Sequence, residues 1–270
     1  MKICTYNILE GGVGRIDPLA EVILLSGAEV VVVQECWDRG LFAKLAGKLG
    51  MDFFVAENPR NKEGATGVLV KLGWGEIREA VNYAPLDGRL TRSAFHVVVL
   101  EKSEAGSREP EEWVIVGLHL HARETVADEE VRLSEVPAVL EIGERLRARR
   151  DGVVMCGDFN TSHPGQVIDP AKLRPKVRER IAPQGGVLPR EVITRVLGAG
   201  GGGWVDAHAI GRRAEEFGVS FTTAAPAMRV DYVFVTPGLA GRVHSCEVFM
   251  PEMARFASDH YPVVAEIGPS

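Results

Sequence analysis

"VVMCGDFNTSHP" (Val153–Pro164) decides how this chain is read. An apolar run with the look of a buried strand stops at an acid, an aromatic and an amide: Asp158, Phe159 and Asn160. A carboxylate at the mouth of a buried strand is costly to desolvate alone, so its partners must come from elsewhere in the chain. In an extended segment residues i and i+2 face one side and i+1 the other. Asp158 and Asn160 are therefore expected to face a pocket together, with Phe159 anchoring the strand end in the core.

Working outward, the same habit recurs on other β-branched runs. Asn7 ends "KICTYN", Glu35 follows four valines in "EVVVVQE", and His119 sits in "VIVGLHLHA". Asp231 lies in "RVDYVFV", and Asp259 and His260 precede "YPVVAEI". Gathered at one end of stacked sheets, these residues would line a pocket with carboxylates, imidazoles and amides. Carboxylates so crowded repel one another unless a divalent cation or shared protons compensate. Oxygen ligands without thiolates suit Mg²⁺ or Mn²⁺ better than zinc. His119 and His121 share a strand face, but no third zinc ligand stands at a recognisable spacing, and His121 reads as a polar strand-end residue. Asp231 is the natural orienter of His260, fixing its tautomer. Asp259 and His260, as sequence neighbours, are expected to point in different directions and serve different parts of the site.

Helical patterns lie between the strands. Asp17 with Pro18 reads as an N-cap and first helical residue, and Gly27 as the stop. Asp38 can cap a helix over "LFAKLAGKLG". The longest candidate runs from about Asp128 to Arg149, with Leu133, Val136, Leu140 and Leu146 on one face, and Pro137 should bend it or mark its start. Some neighbouring strands have only short links between them, which points to α/β layers around mixed sheets rather than a purely parallel sheet. With no repeat and no dividing linker, residues 1–270 read as a single domain, and 165–203 as an irregular surface insertion. "EGGVG" and "GAGGGG" lack the Lys-Ser/Thr of a P-loop and the strand–helix setting of a dinucleotide site, so they read as turns.

Composition narrows the class. A hydrophobic content of 46% with 25% charged residues is ordinary for a globular protein. A net charge of −6 excludes a globally basic coat for nucleic acid, although a substrate anion responds to the local field. Four separated cysteines without a C-x-x-C pair read as buried, reduced thiols. The N-terminus lacks the apolar core of a signal peptide, and no run approaches the roughly 18 apolar residues of a membrane span. A cytoplasmic protein without an obligate protein partner is the expectation. Residues 169–195 carry seven Lys/Arg against three Asp/Glu and read either as a solvated helix or as a rim that holds a polyanion. Arg89 and Arg92 in "DGRLTRSAF" are further candidates for phosphate contact.

In order, "TYN" (5–7), "QE" (34–35), "GLHLHA" (117–122), "GDFN" (157–160), "RVDYVFV" (229–235) and "SDHYPV" (258–263) resemble the motifs of the endonuclease/exonuclease/phosphatase superfamily. The resemblance implies a DNase I-like four-layer α/β sandwich, two mixed sheets face to face with helices outside. It also implies Mg²⁺-dependent cleavage of a phosphoester, with Mn²⁺ as a substitute. Glu35 would be the principal metal ligand, with Asn7 nearby and Asp259 as a second ligand. Asp158 and Asn160 would position or activate the nucleophile and bind phosphate, and His119 would stabilise charge on the phosphoryl oxygens. Asp231 would pair with His260, which contacts the scissile phosphate or moves a proton; the roles of Asp158 and His260 could be exchanged. His119 stands where the AP endonucleases carry a tyrosine, which counts against abasic-site cleavage. A nucleic-acid phosphodiester is the first substrate expectation and a small or lipid phosphoester the second. A catalytically inactive phosphate-binding module is the alternative of another class.

Overall fold

The structure is a computed structural model that describes residues 1–84, 88–102, 110–150, 152–198, 203–213 and 216–268. Its β-branched runs form two six-stranded sheets. The first holds β1 (Lys2–Asn7), β2 (Val30–Gln34), β3 (Met51–Ala56), β4 (Thr66–Lys71), β11 (Val243–Val248) and β12 (Val263–Ile267), in the order β11-β12-β1-β2-β4-β3. The second holds β5 (Gly75–Asn82), β6 (Ala94–Glu101), β7 (Glu112–His119), β8 (Val153–Asp158), β9 (Val205–Asp206) and β10 (Asp231–Val235), in the order β5-β6-β7-β8-β10-β9. β1 and β2 run parallel, as do β7 and β8, and the other pairs are antiparallel, so both sheets are mixed as expected.

The inner faces of the sheets meet in one apolar core. Val30, Val32, Val68 and Val70 of the first sheet interlock there with Val97, Ile115, Val154 and Val233 of the second. Against the outer face of the first sheet lie α1 (Ile16–Ser26), α2 (Arg39–Leu49) and the short α7 (Ala254–Ala257). α3 (Val126–Arg147) and α5 (Glu191–Leu197) cover the outer face of the second. Valine is buried on either face of β2, which explains why its run shows no polar alternation. All four cysteines are buried and free.

Helix termini follow the local chemistry with small shifts. Gly27 ends α1 in the left-handed conformation, and the Asp38 side chain accepts from Leu41 N–H to cap α2. α1 starts at Ile16, so Asp17 is not its cap. α3 starts at a Thr125–Asp128 capping box and continues through Pro137. Val136 is buried there and Leu133, Leu140 and Leu146 pack beside it, the face the spacing predicted. The segment 165–203 is not irregular throughout. It contains α4 (Pro175–Ile181) and α5, and buries Val177, Ile181, Val192, Ile193 and Val196. Prolines at helix starts, which a sequence scan counts as breakers, sit here at positions that need no N–H donor. Residues 199–202 of "GAGGGG" and 103–109 of the link before β7 lie outside the described residues.

Gly157 shows how tightly the strand carrying "GDFN" is set. Its φ is +155°, and a Cβ there would lie 2.0 Å from the Leu118 carbonyl oxygen of the neighbouring parallel strand. Backbone is on both sides of that clash, so neither can yield without moving the His119–Asp158 register. Gly157→Ala is expected to destabilise the fold by about 3 kcal/mol, read from chemical denaturation. A shift within experimental error would refute this close approach.

Candidate active site

Pairing β1 with β2 and β7 with β8 in parallel places four C-terminal strand ends together. Asn7 ends β1, Gln34 ends β2 with Glu35 next, and His119 is opposite Asp158 at the ends of β7 and β8. The antiparallel neighbours contribute their beginnings: Asp231 is in register with Asp158, and His260 lies just before β12. A cleft of about 160 Å³ opens there, lined by Asn7, Glu35, His119, Asp158, Asn160, Asp259 and His260 among others. Asp231 lies beneath it, fully buried.

Contacts among these side chains are direct. His260 Nδ1 is 2.9 Å from Asp231 Oδ2, and its Nε2 is 3.9 Å from Asp158 Oδ2. His119 Nε2 is 3.4 Å from the same Asp158 oxygen. Asn7 Nδ2 donates to Asp158 Oδ2 at 3.0 Å and to Glu35 Oε1 at 3.3 Å. The Asn7 oxygen accepts from Leu9 N–H at 3.0 Å, which fixes the orientation of the amide. In this orientation Asn7 presents its amide donor to two carboxylates, and Leu9 N–H takes one of the two lone pairs on its oxygen.

Asp259 and His260 do not diverge. Both line the cleft, and Asp259 Oδ1 is 3.9 Å from His260 Nε2. The chain bends at Asp259 and His260 N–H donates to Ser258 Oγ, so strand alternation does not apply there. Asp158 and Asn160 do face the cleft together, with Phe159 buried against Tyr232 and Phe234. The cause is not alternation alone. Asn160 has φ +52° and its N–H donates to Asp158 Oδ1 at 2.8 Å, a local turn that carries the amide back to the cleft.

Five non-glycine residues with positive φ stand out among the described residues: Leu9, Glu10, Glu35, Arg123 and Asn160. Four of them line the cleft and Glu10 adjoins it. Such conformations cost on the order of 1–3 kcal/mol each and persist where surrounding contacts over-determine them. Glu35 is held in this way: its Oε2 accepts Glu10 N–H at 2.8 Å and its carbonyl accepts Gly11 N–H at 2.9 Å.

Burial and neighbouring charges together set the protonation states. Burial, and then the Asp231 charge, push the Asp158 carboxyl up to about 7. Burial opposes charge on His260, but the carboxylates of Asp231, Asp158 and Asp259 outweigh it and raise this imidazole to about 10. His119 is held well below the usual imidazole range by burial and by Arg92, with His260 adding to the effect. Its contact with Asp158 is therefore that of a neutral ring, not an ion pair. Arg92 Nη1 lies 3.0 to 3.1 Å from the two His119 ring nitrogens. Neither arginine is among the lining residues: Arg92 reaches the site only through His119, and Arg89 pairs in two places with Glu141 on α3. His121 pairs with Asp128 at 3.0 Å, outside the cleft lining.

A hard divalent cation fits the donor set. Glu35, Asp158 and Asp259 bring three carboxylates to one cleft, and the cysteines all lie in the core. Asp158, Asp231 and His260 also offer atoms within 4.8 Å of one another. That trio is the poorer choice, because an imidazole charged by Asp231 has no lone pair to offer a cation. Residues that strand-end reasoning missed complete the lining: Arg123, Glu124, Arg174, Arg180, Phe221 and Met228. Arg174 and Arg180 come from the basic segment, whose charge excess was the available signal.

Two mixed sheets face to face, with an acid–histidine cleft at their strand ends, define a DNase I-like hydrolase fold. Residues 4–260 match the Endonuclease/Exonuclease/phosphatase family, and the chain belongs to it. It is homologous to hydrolases of that family that act on phosphoesters, a family generally dependent on divalent metals. The catalytic domain of Xenopus laevis APE2 superimposes with a TM-score of 0.69 at 16% identity, over 99% of this chain and 91% of that one. A 3′ phosphatase, NExo from Neisseria, solved with a product DNA hairpin, gives 0.68 at 17% identity over 100% of both chains. A mannosyl-6-phosphatase from Bacteroides thetaiotaomicron gives 0.66 at 15% identity over 99% of both. At these identities the likeness is one of fold. No curated protein sequence matches significantly. Among the described residues no helix is long and apolar enough to cross a membrane.

Proposed function

We propose that the chain is a Mg²⁺-dependent hydrolase that cleaves phosphoesters of nucleic acid by in-line attack of an activated water. The observation that carries this reading is a base and an acid 3.9 Å apart in one cleft: Asp158 raised to about 7 beside His260 raised to about 10. Asp158, ionised above that value, accepts the proton of the attacking water. His260 keeps its charge across that range, and Nε2, the nitrogen not used by Asp231, is the donor for a phosphoryl or leaving oxygen. This favours Asp158 over His260 as the base. Neutral His119 donates a hydrogen bond to a phosphoryl oxygen. Asn160 gives one amide hydrogen to Leu120 O and keeps a second for substrate. Glu35 and Asp259 are the residues that would hold Mg²⁺, whose chemistry when bound is charge neutralisation on the phosphoryl oxygens. A cytoplasmic setting belongs to this reading, and the four free, buried thiols support it.

Turnover of an aryl phosphomonoester or phosphodiester is expected with Mg²⁺, absent under EDTA, and restored by added Mg²⁺ or Mn²⁺. Turnover indifferent to EDTA would sink the metal-dependent reading, and no turnover under any condition would favour an inactive binding module. A second reading, a small phosphoester as substrate, is favoured by the limited room in the cleft, about 160 Å³. Nucleic-acid affinity that does not fall with added salt would select it.

A further inference from the structure

One wall of the cleft is built by none of the strand ends. α4 packs Val177 and Ile181, with Leu173 just before it, against Met228 and Val230, which line the cleft. Charged side chains of the same segment then reach across. Arg174 Nη1 is 3.5 Å from Asp259 Oδ2, and its guanidinium lies 4.6 Å from the centre of the Phe221 ring. Arg180 Nη1 is 3.2 Å from Glu124 Oε2. Gln184 accepts from Val126 N–H at 2.9 Å and donates to Glu124 O at 3.2 Å, fastening the far end to the loop after β7. Residues 174–184 therefore bridge the loop before β12 and the loop after β7. A continuous strand would have to cross this bridge to bring an internal linkage to Asp158.

Charge points the same way. The lining sets Arg123, Arg174, Arg180 and the His260 imidazole against Glu35, Glu124, Asp158 and Asp259, so it contains no running basic groove for a polyanion. Two of its three arginines stand on the bridge instead. Neither has a well-aligned carboxylate partner: the Arg174 contact is long, and the Arg180 contact lacks hydrogen-bond alignment, since Glu124 Oε2 is buried without a hydrogen-bond partner. A doubly charged phosphoryl group offers each guanidinium a shorter, better aligned acceptor than these single carboxylates.

We propose that Arg174 and Arg180 select a terminal phosphomonoester, so that the group hydrolysed sits at the end of a chain or on a small molecule and not within a continuous strand. This rests on the hydrolase reading above. The oxygen of water forms a bond to phosphorus, the ester P–O bond breaks, the leaving oxygen takes a proton, and inorganic phosphate and an alcohol are released.

The test measures phosphate release, with Mg²⁺, from 3′- and 5′-phosphorylated oligonucleotides and from a sugar phosphate, beside nicking of closed circular single-stranded and duplex DNA. The expected result is phosphate release without nicking, and the best of the three phosphate substrates identifies the source of the terminal group. Arg174→Ala and Arg180→Ala should each raise KM for that substrate by roughly tenfold. Arg178→Ala should leave it unchanged, because this exposed side chain bonds Ala171 O and lies outside the cleft lining. Nicking of circular DNA as fast as terminal phosphate release, or unchanged KM in both arginine variants, would overturn the proposal while leaving the hydrolase reading intact. Failure to hydrolyse any phosphoester, the aryl esters included, would overturn both.

Discussion

Asp158→Asn is expected to lower turnover by roughly 10²- to 10⁴-fold while leaving the protein as stable as before, or more so, above neutral pH. The two effects share one cause. Asp158 is 1% exposed, and burial followed by the Asp231 charge lifts its carboxyl to about 7 in the folded state. The fold thus prefers the protonated acid. That preference stabilises fully below the unfolded value of 3.8 and is lost as pH rises through about 7. Above that pH the native protein holds a buried anion facing Asp231, and an asparagine of the same shape removes it. The removed charge is also the proton acceptor, so rate and stability should move in opposite directions. Turnover from pH 5 to 9 and urea denaturation at pH 8 would check this. A variant with the wild-type rate would end the assignment of Asp158 as the base. Wild-type turnover itself should climb as pH passes about 7.

His260→Ala should have the opposite stability signature with an equally large loss of rate. The His260 imidazole is buried among Asp231, Asp158 and Asp259, and these acids raise it to about 10. A folded value above the usual 6.5 contributes stability that is whole below 6.5 and disappears as pH rises through about 10. Removing the ring at pH 7 leaves Asp231 buried without its partner, and Asp231 Oδ1 already has no hydrogen bond. Breaking a buried pair in this way costs about 3–5 kcal/mol. Adding Asp231→Asn to His260→Ala takes away the orphaned charge and should recover part of that stability with no recovery of turnover. Denaturation at pH 7 measures the first quantity and aryl phosphoester turnover the second. If His260→Ala kept its stability and its rate, the Asp231–His260 couple would have neither role.

Much of the fold was legible because its signals are local. β-Branched runs mark β1, β2, β7, β8 and β10, the glycine after α1 and the aspartate before α2 mark helix ends, and the short links betray antiparallel pairs within mixed sheets. The segment carrying α4 and α5 was misread because prolines and charges obscured two helices whose apolar faces are each only one or two turns long. The site divides similarly. Glu35, His119, Asp158, Asp231 and His260 announce themselves as ionisable groups next to apolar strands. Arg89 looked equivalent to Arg92 in sequence, yet one reaches Glu141 on α3 and the other reaches His119. Only two residues of chain lie between them, and which way each side chain turns depends on what packs beside it.

Sequence alone determined the class of chemistry, since its strand-end motifs, in order, are those of a family of hydrolases acting on phosphoesters. Tertiary structure decided how the set operates and what can reach it. Burial and neighbouring charge depend on every neighbour at once: burial lifts Asp158 to about 7, and the surrounding carboxylates hold His260 at about 10 against it. Likewise, "GDFN" presents Asn160 through a left-handed turn, and the bridge from Arg174 to Gln184 closes one flank of the cleft. Apart from that turn, which Asp158 holds locally, those outcomes rest on contacts between residues tens to hundreds of positions apart, which a linear pattern does not encode.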